Sequence, residues 1–471
     1  MEVFGIYSGG EFINKGKTLE VLNKYNGKAA GSTFLADEAL LDKTITAAQK
    51  SQPVLQKLSA SEKSEALRYI GEKLTENKNK HARLLSEESG KPLFYAMAEV
   101  TRAATTFNIA SEECKRLPRE YLGLDWTTAG KNREGLVKYF PAGIVAGISP
   151  FNFPLNLAVH KIAPAIAAGC PIILKPASST PLSTLALAKI ISETGLPAGS
   201  VNILPMDRKT GNLLATDERI KVLSFTGSPE VGWELKKQSG KKKVVLELGG
   251  NAAVIITGSA DPEAILDTCV TGAFAYSGQI CIHAQRFYVH PAHYDTFLRL
   301  FVSKAEKLTA DDPLKEHTRL SNMIDEQNAG RVEQWVREAK DAGAEIMCGG
   351  SREGAFMPAT VLTGTNHTMK VNAEEVFGPV VCIEKYDGSI ANAVELVNNS
   401  RFGLQCGIFT DSVTELDFAF SHLEVGGVIH NDVPTLRFDH MPYGGVKDSG
   451  LGREGVKYAI MDMMETRVLV K

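Results

Sequence analysis

Cys281 stands in the run AYSGQICIHAQRF, between an apolar helical stretch and the strand-like run RFYVH. The Gly278-Gln279 step before it breaks regular backbone, and a thiol presented on such a turn can act as a nucleophile. A free cysteine is otherwise a small buried hydrophobe, which is the expected state of Cys114, Cys170, Cys269, Cys348, Cys382 and Cys406. Glu247 lies in VVLELGGN, an acid inside an apolar strand followed by two glycines. Either strand alternation turns it to solvent, or it is desolvated, its pKa rises, and it can serve as a general base. The glycines would let a ligand or another chain segment approach closely. Asn152, in ISPFNFPLN, follows a buried strand end, where open α/β sheets bind ligands. Its amide can shape a turn or donate to a developing oxyanion.

A further signal is for a nucleotide. FTGSPEVG leads a strand into a helix through Gly227-Ser228, with Gly232 in the first turns. Exposed N–H groups at such a helix start suit a pyrophosphate, although the spacing is not GxGxxG. Lys175, at the strand end ILKPAS, can donate to a ribose hydroxyl or a phosphate, or be a solvated loop residue.

These residues need parallel strands to hold them. From Gly143 onward, GIVAGISP, PIILKP, VNILP, VLSFTGS and KVVLELGG read as buried strands alternating with helices such as LNLAVHKIAPAIAAG. After Asn251 the strands AAVIIT, RFYVH, AEIMCGG, VVCIEKY, GLQCGIFT and GGVIHND continue the alternation. The pattern predicts two α/β units divided near Gly249-Gly250. The first third reads as helical. Ser59 and Glu62 have capping-box spacing, HARLLSEES stops at Gly90, and a long amphipathic helix ends near Leu117. Residues 119–139 and the tail ETRVLVK are strand-like and fit neither unit, which suggests an oligomer contact.

The chain has 471 residues, enough for two or three domains. Hydrophobic residues make up 44% and charged residues 23%, the balance of a globular protein. A net charge of −3 argues against nucleic acid or an anionic membrane as partner. The stretch from Leu155 to Leu174 is the most apolar, but His160, Lys161 and two prolines make it a buried helix and strand, not a membrane span. No signal peptide is visible. The odd count of seven cysteines without a CxxC pair suggests neither disulfides nor a metal site, and a cytoplasmic setting is expected.

Taken together, ISPFNFP, LKPASSTP, SFTGSPEVG, LELGGN, SGQICI, EEVFGPVV and MPYGGVKDSGLGREG resemble the aldehyde dehydrogenase superfamily, in that family's order, from about Gly143 to Gly455. The tail resembles most the lactaldehyde and semialdehyde dehydrogenase branch. The resemblance implies an α/β fold with a Rossmann-like cofactor domain (residues 1–118 and 140–249), an α/β catalytic domain (250–446) and a small β bridging piece (119–139 and 457–471). It implies a homodimer or homotetramer that uses NADP or NAD. It implies that Cys281 attacks the aldehyde carbon, that Asn152 holds the oxyanion, that hydride passes to the nicotinamide, and that Glu247 activates water to release a carboxylic acid.

The cofactor positions it implies are Ser149, Pro150, Lys175, Ser178, Gly227, Ser228, Gly232, Leu248, Glu375 and Phe377. Ser178 replaces the glutamate of many NAD-selective relatives, so NADP is expected to be accepted and preferred. The implied substrate positions are Arg102, Phe153, Ile280, Ile282, Arg437 and Phe438. Ile280 stands where relatives acting on phosphorylated aldehydes carry arginine, so the expected substrate is a short hydroxy-aldehyde such as lactaldehyde. Succinate semialdehyde is the alternative. A CoA-acylating enzyme and a structural protein on this fold are further alternatives; both are disfavoured by an intact Glu247 beside Cys281 and Asn152.

Overall fold

The computed structural model describes residues 2–471. It contains two large sheets. The first has eight strands. Its parallel centre runs in spatial order Val201–Ile203, Ile172–Lys175, Ile144–Ile148, Ile220–Thr226, Lys243–Glu247. These are short apolar runs buried on both faces, the pattern helix-covered parallel strands require. Helix Asn156–Ala168 is buried along its whole length and ends at Gly169 in the left-handed conformation.

The second sheet has seven strands. The order is Glu345–Cys348, Thr360–Thr363, Val380–Lys385, Arg286–Val289, Ala253–Ile256, Gln405–Phe409, Gly427–His430, and only the first pair is antiparallel. Phe274, Phe287, Phe297 and Phe301 pack as one aromatic group beneath it. Strand Thr360–Thr363 has no counterpart in the sequence reading. Polar threonines at both its ends hide a buried Val361 and Leu362.

Residues from two distant segments form a third sheet. Arg119–Gly123 and Glu134–Pro141 pair antiparallel, and Met464–Val470 joins them. Just before leaving for this sheet, the chain pairs Gly450–Leu451 with Lys243–Glu247 in the first one.

The expectation that the first third is helical fails at its beginning. Ile6–Ser8 and Glu11–Ile13 extend the first sheet, and Lys17–Leu22 pairs with Ala29–Leu35 as a hairpin. Tertiary pairing decides here: Tyr7 registers with Ile203, a partner that short polar runs do not announce. Beyond it the helices stand. Ser59 and Glu62 make the reciprocal capping box of helix Ala60–Glu76, and Gly90 ends helix Lys78–Ser89. The long helix Leu93–Glu113 stops short of Leu117 and buries Val100, Ala103, Phe107 and Ala110. Among the described residues, no helix is long and apolar enough to cross a membrane, and no group of three metal-ligating side chains occurs.

Candidate active site

A cleft of about 400 Å3 lies between the two sheets. Asn152, Glu247 and Cys281 all line it, and so do Pro150, Gly227, Ser228, Leu248, Glu375 and Phe377. The three residues expected to do chemistry, 129 residues apart at the extremes (281 − 152), therefore share one cavity.

Cys281 follows a tight turn in which Tyr276 and Ser277 have positive φ values of 50° and 53°. That conformation is costly for residues with a side chain. Several contacts hold it. The Ser277 hydroxyl donates to the Ser321 carbonyl at 2.7 Å, Tyr276 donates to the Ser89 carbonyl at 3.2 Å, and Gln279 accepts the Ile324 N–H at 2.9 Å. Gly278 also has positive φ, and a side chain there would collide with the Gly378 carbonyl. Burial pushes the Cys281 thiol up to about 11, against the pull of a hydrogen bond with Tyr443. The sulfur lies 3.1 Å from the Tyr443 hydroxyl.

Asn152 is buried, and its amide donates to the Gln279 carbonyl at 2.9 Å. This bond ties the asparagine loop to the cysteine loop. A buried ion pair braces the same junction. Lys91 and Glu99 are fully buried and joined by a short hydrogen bond. Glu99 also accepts the N–H groups of Leu155 and Asn156, at the start of the helix after Asn152. The Lys91 ammonium lies 3.6 Å from the Phe153 ring centre and 4.4 Å from that of Tyr276.

Glu247 ends its strand with 3% of its surface exposed, and neither carboxylate oxygen has a partner. Burial raises its pKa well above the usual range, and the nearby Glu454 adds to the rise against Arg437 and Lys161. A desolvated carboxyl of this kind is suited to accept a proton. Behind it Glu454 takes hydrogen bonds from Lys161 at 3.2 Å and Arg437 at 2.9 Å. Burial pushes Glu454 upward, but these two cations hold it below the usual carboxylate range.

The cofactor half of the cleft is built for a dinucleotide. Ser228 caps helix Pro229–Gln238 without a side-chain cap bond, so its hydroxyl is free at a helix N-terminus facing the cleft. Burial raises Glu375 to about 8, although the Gly250 N–H donates to it at 3.1 Å. A side chain at Gly249 would overlap this carboxylate, so glycine there is what lets Glu375 in. Phe377 has φ 48° and sets its ring edge-on to Phe151. Arg401 closes the mouth by pairing with Glu230 of the first unit and Glu374 of the second. The residues present thus fit a nicotinamide dinucleotide.

Other expected cofactor residues lie outside this cavity. Lys175 is half-buried and Ser178 exposed, and neither lines the cleft. Ser149 is buried, its N–H bonded to the Lys175 carbonyl. Gly232 lies in the first turns of helix Pro229–Gln238, where a side chain would collide with Leu248, which itself lines the cleft.

None of the expected substrate residues lines the same cavity. Ile282 packs with Leu404 and Tyr443, and Ile280 lies against that group. Arg102 binds Asp439 through two hydrogen bonds, at 2.6 and 3.2 Å, and Asp439 also takes His160 at 2.8 Å. Arg437 stacks 3.6 Å from the centre of the Tyr443 ring. Phe153 is taken up by Lys91, and Phe438 is 54% exposed.

Tyr443, Glu454 and Lys161 were missed as site residues. Lys161 carried a signal: a lysine within an otherwise apolar helix needs a buried partner.

The profile described as the aldehyde dehydrogenase family matches residues 12–469. The chain is 41% identical over 468 residues to 3-sulfolactaldehyde dehydrogenase of Priestia aryabhattai, covering 99% of this chain and 98% of that one. The crystal structure of aldehyde dehydrogenase 21 from Physcomitrella patens, in complex with the reaction product succinate, superposes with a TM-score of 0.98 at 44% identity, covering 100% of this chain and 98% of that one. Glyceraldehyde-3-phosphate dehydrogenase GapN from Methanocaldococcus jannaschii, complexed with NADP, superposes with a TM-score of 0.93 at 34% identity, covering 98% and 100%.

Proposed function

This chain belongs to the aldehyde dehydrogenase family and is an NAD(P)-dependent aldehyde dehydrogenase, and we propose that it oxidises a short hydroxy-aldehyde of the lactaldehyde type to the carboxylic acid. The observation that supports this chemistry is the meeting of Cys281, Asn152 and a partnerless Glu247 in one cleft.

In this reading the Cys281 thiol gives its proton to solvent, the sulfur bonds to the aldehyde carbon, and the carbonyl oxygen takes up the negative charge. Asn152 spends one amide hydrogen on Gln279 and keeps the other for that oxygen. Removing such a donor typically costs about 100- to 1000-fold in rate. The nicotinamide cofactor, when bound, accepts the hydride, which leaves a thioester on Cys281. Glu247 then takes a proton from water. The hydroxide adds to the thioester carbon, the carbon–sulfur bond breaks, and the acid leaves.

For the substrate, the surroundings of the thiol support a short neutral chain. Ile280 and Ile282 flank it, and Arg102 and Arg437 are already paired with Asp439 and Glu454. The 3-sulfolactaldehyde dehydrogenase relative acts, by its name, on an aldehyde with the same hydroxylated head, with a sulfonate in addition. A second reading, a short aldehyde with a distal carboxylate such as succinate semialdehyde, is favoured by Arg437. That cation stacks on the ring whose hydroxyl touches the thiol, and the Physcomitrella relative holds succinate.

A kcat/KM panel decides between them, using lactaldehyde, 3-sulfolactaldehyde, succinate semialdehyde and glyceraldehyde 3-phosphate, with NADP and NAD, and with and without CoA. Arg437→Leu should raise KM strongly for the semialdehyde and little for lactaldehyde. Glyceraldehyde 3-phosphate turned over ~10-fold more efficiently than lactaldehyde would overturn the first reading.

A further inference from the structure

We propose that Tyr443 stabilises the thiolate of Cys281 by donating its hydroxyl hydrogen to the sulfur, with Arg437 stacked on its ring to strengthen the donor. This rests on the reading of Cys281 as the nucleophile and adds a residue to it.

Three observations carry it. First, the Tyr443 hydroxyl lies 3.1 Å from the Cys281 sulfur, and no other hydrogen bond of that hydroxyl is present among the described residues. Second, the tyrosine is 3% exposed and packed against Ile282 and Leu404, so water does not compete for the hydroxyl. A hydrogen bond to a charged group in such surroundings is stronger than a neutral one. Third, the Arg437 guanidinium lies over the same ring, 3.6 Å from its centre. A cation over the face of a phenol draws electron density from the ring and makes its O–H a better donor. Arg437 is itself fixed by Glu454, so the stack does not depend on a mobile side chain.

The need for such a donor is plain from the thiol's burial, which disfavours its ionised form. The opposing groups are acids: the charges of Glu247 and Glu375, which line the same cleft, work against a thiolate. Arg437 and Tyr443 are the groups that work for it. In the ionised state the thiol proton has gone to solvent, while the phenol keeps its own hydrogen and shares it with the sulfur. Nothing is transferred, and the hydroxyl acts only by lowering the energy of the anion.

The experiment is alkylation of Cys281 by iodoacetamide, in which a sulfur–carbon bond forms and iodide leaves. The rate is followed from about pH 6 to about pH 10 on the whole enzyme, with the labelled residue identified by peptide mass. Tyr443→Phe keeps the ring beneath Arg437 and removes only the hydroxyl. A hydrogen bond to a charged partner corresponds to a roughly 10-fold change. The variant should therefore label about 10-fold more slowly near neutral pH and reach each wild-type rate about one pH unit higher. Superimposable profiles would overturn the proposal. So would slower labelling while the ultraviolet absorbance of the thiolate at each pH stays that of wild type, which is the mark of a packing defect. Cys281→Ala serves as the separate control on the nucleophile. If rapid labelling survives that change, the reading of Cys281 fails. If labelling is lost in Cys281→Ala but unshifted in Tyr443→Phe, only the role of Tyr443 fails.

Discussion

Lys91 and Glu99, eight positions apart across a helix start, form a fully buried ion pair beneath the two loops that carry Asn152 and Cys281. Glu99 reaches the asparagine side through Leu155 and Asn156, and Lys91 reaches the cysteine side through the Tyr276 ring. One ion pair thus ties the two loops together from below.

Lys91→Met leaves the Glu99 carboxylate buried without its cation. Stability should fall by about 3–5 kcal/mol, measured by urea unfolding. Adding Glu99→Gln to the same chain should recover part of the loss, because the unpaired charge is then gone. A single variant as stable as wild type would mean the pair is not braced as described.

Cys281→Ala should abolish dehydrogenase turnover while cofactor binding, read by fluorescence titration, persists. Glu247→Gln should keep a first burst of reduced cofactor and then slow, because the thioester forms but is not hydrolysed. Retention of more than about a tenth of turnover in Cys281→Ala would exclude a covalent route.

NADP should be preferred over NAD. Ser178 is exposed near Lys175, and it carries no negative charge to repel a 2′-phosphate. Ser178→Glu should move the ratio of kcat/KM values toward NAD. Identical ratios before and after the change would place the 2′-phosphate elsewhere.

Glu375 gives the cofactor-free protein a pH signature. Its carboxyl loses its proton near 4.5 in the unfolded chain and, because of burial, near 8 in the folded one. Between those values the folded state holds more protons, so this group makes stability fall as pH rises from about 5 to about 8. Glu375→Gln has no proton to lose and should flatten that part of the slope. The check is the urea midpoint at three pH values across the interval.

The parallel strands were legible because each is a short apolar run with a glycine or proline at its border, as in GIVAGISP and PIILKP. Glu247 was legible for a related reason: an acid stands out in an apolar strand. The partners of the site residues were not. Tyr443 lies 162 residues from Cys281, and Asp439 lies 337 from Arg102. Such meetings depend on how two sheets pack, and no local periodicity encodes that. The N-terminal strands were lost for the same reason, since Tyr7 is a strand residue by virtue of Ile203.

The turn that presents Cys281 is pinned by Ser89, Ser321, Ile324 and Gly378. Most of these anchors follow the cysteine in the chain, and its hydroxyl neighbour Tyr443 follows them all. During synthesis the sulfur therefore emerges long before its setting exists. A nascent chain carries Cys281 as an ordinary thiol on a flexible stretch, and only completion of the last strands converts it into the poised group of the finished enzyme.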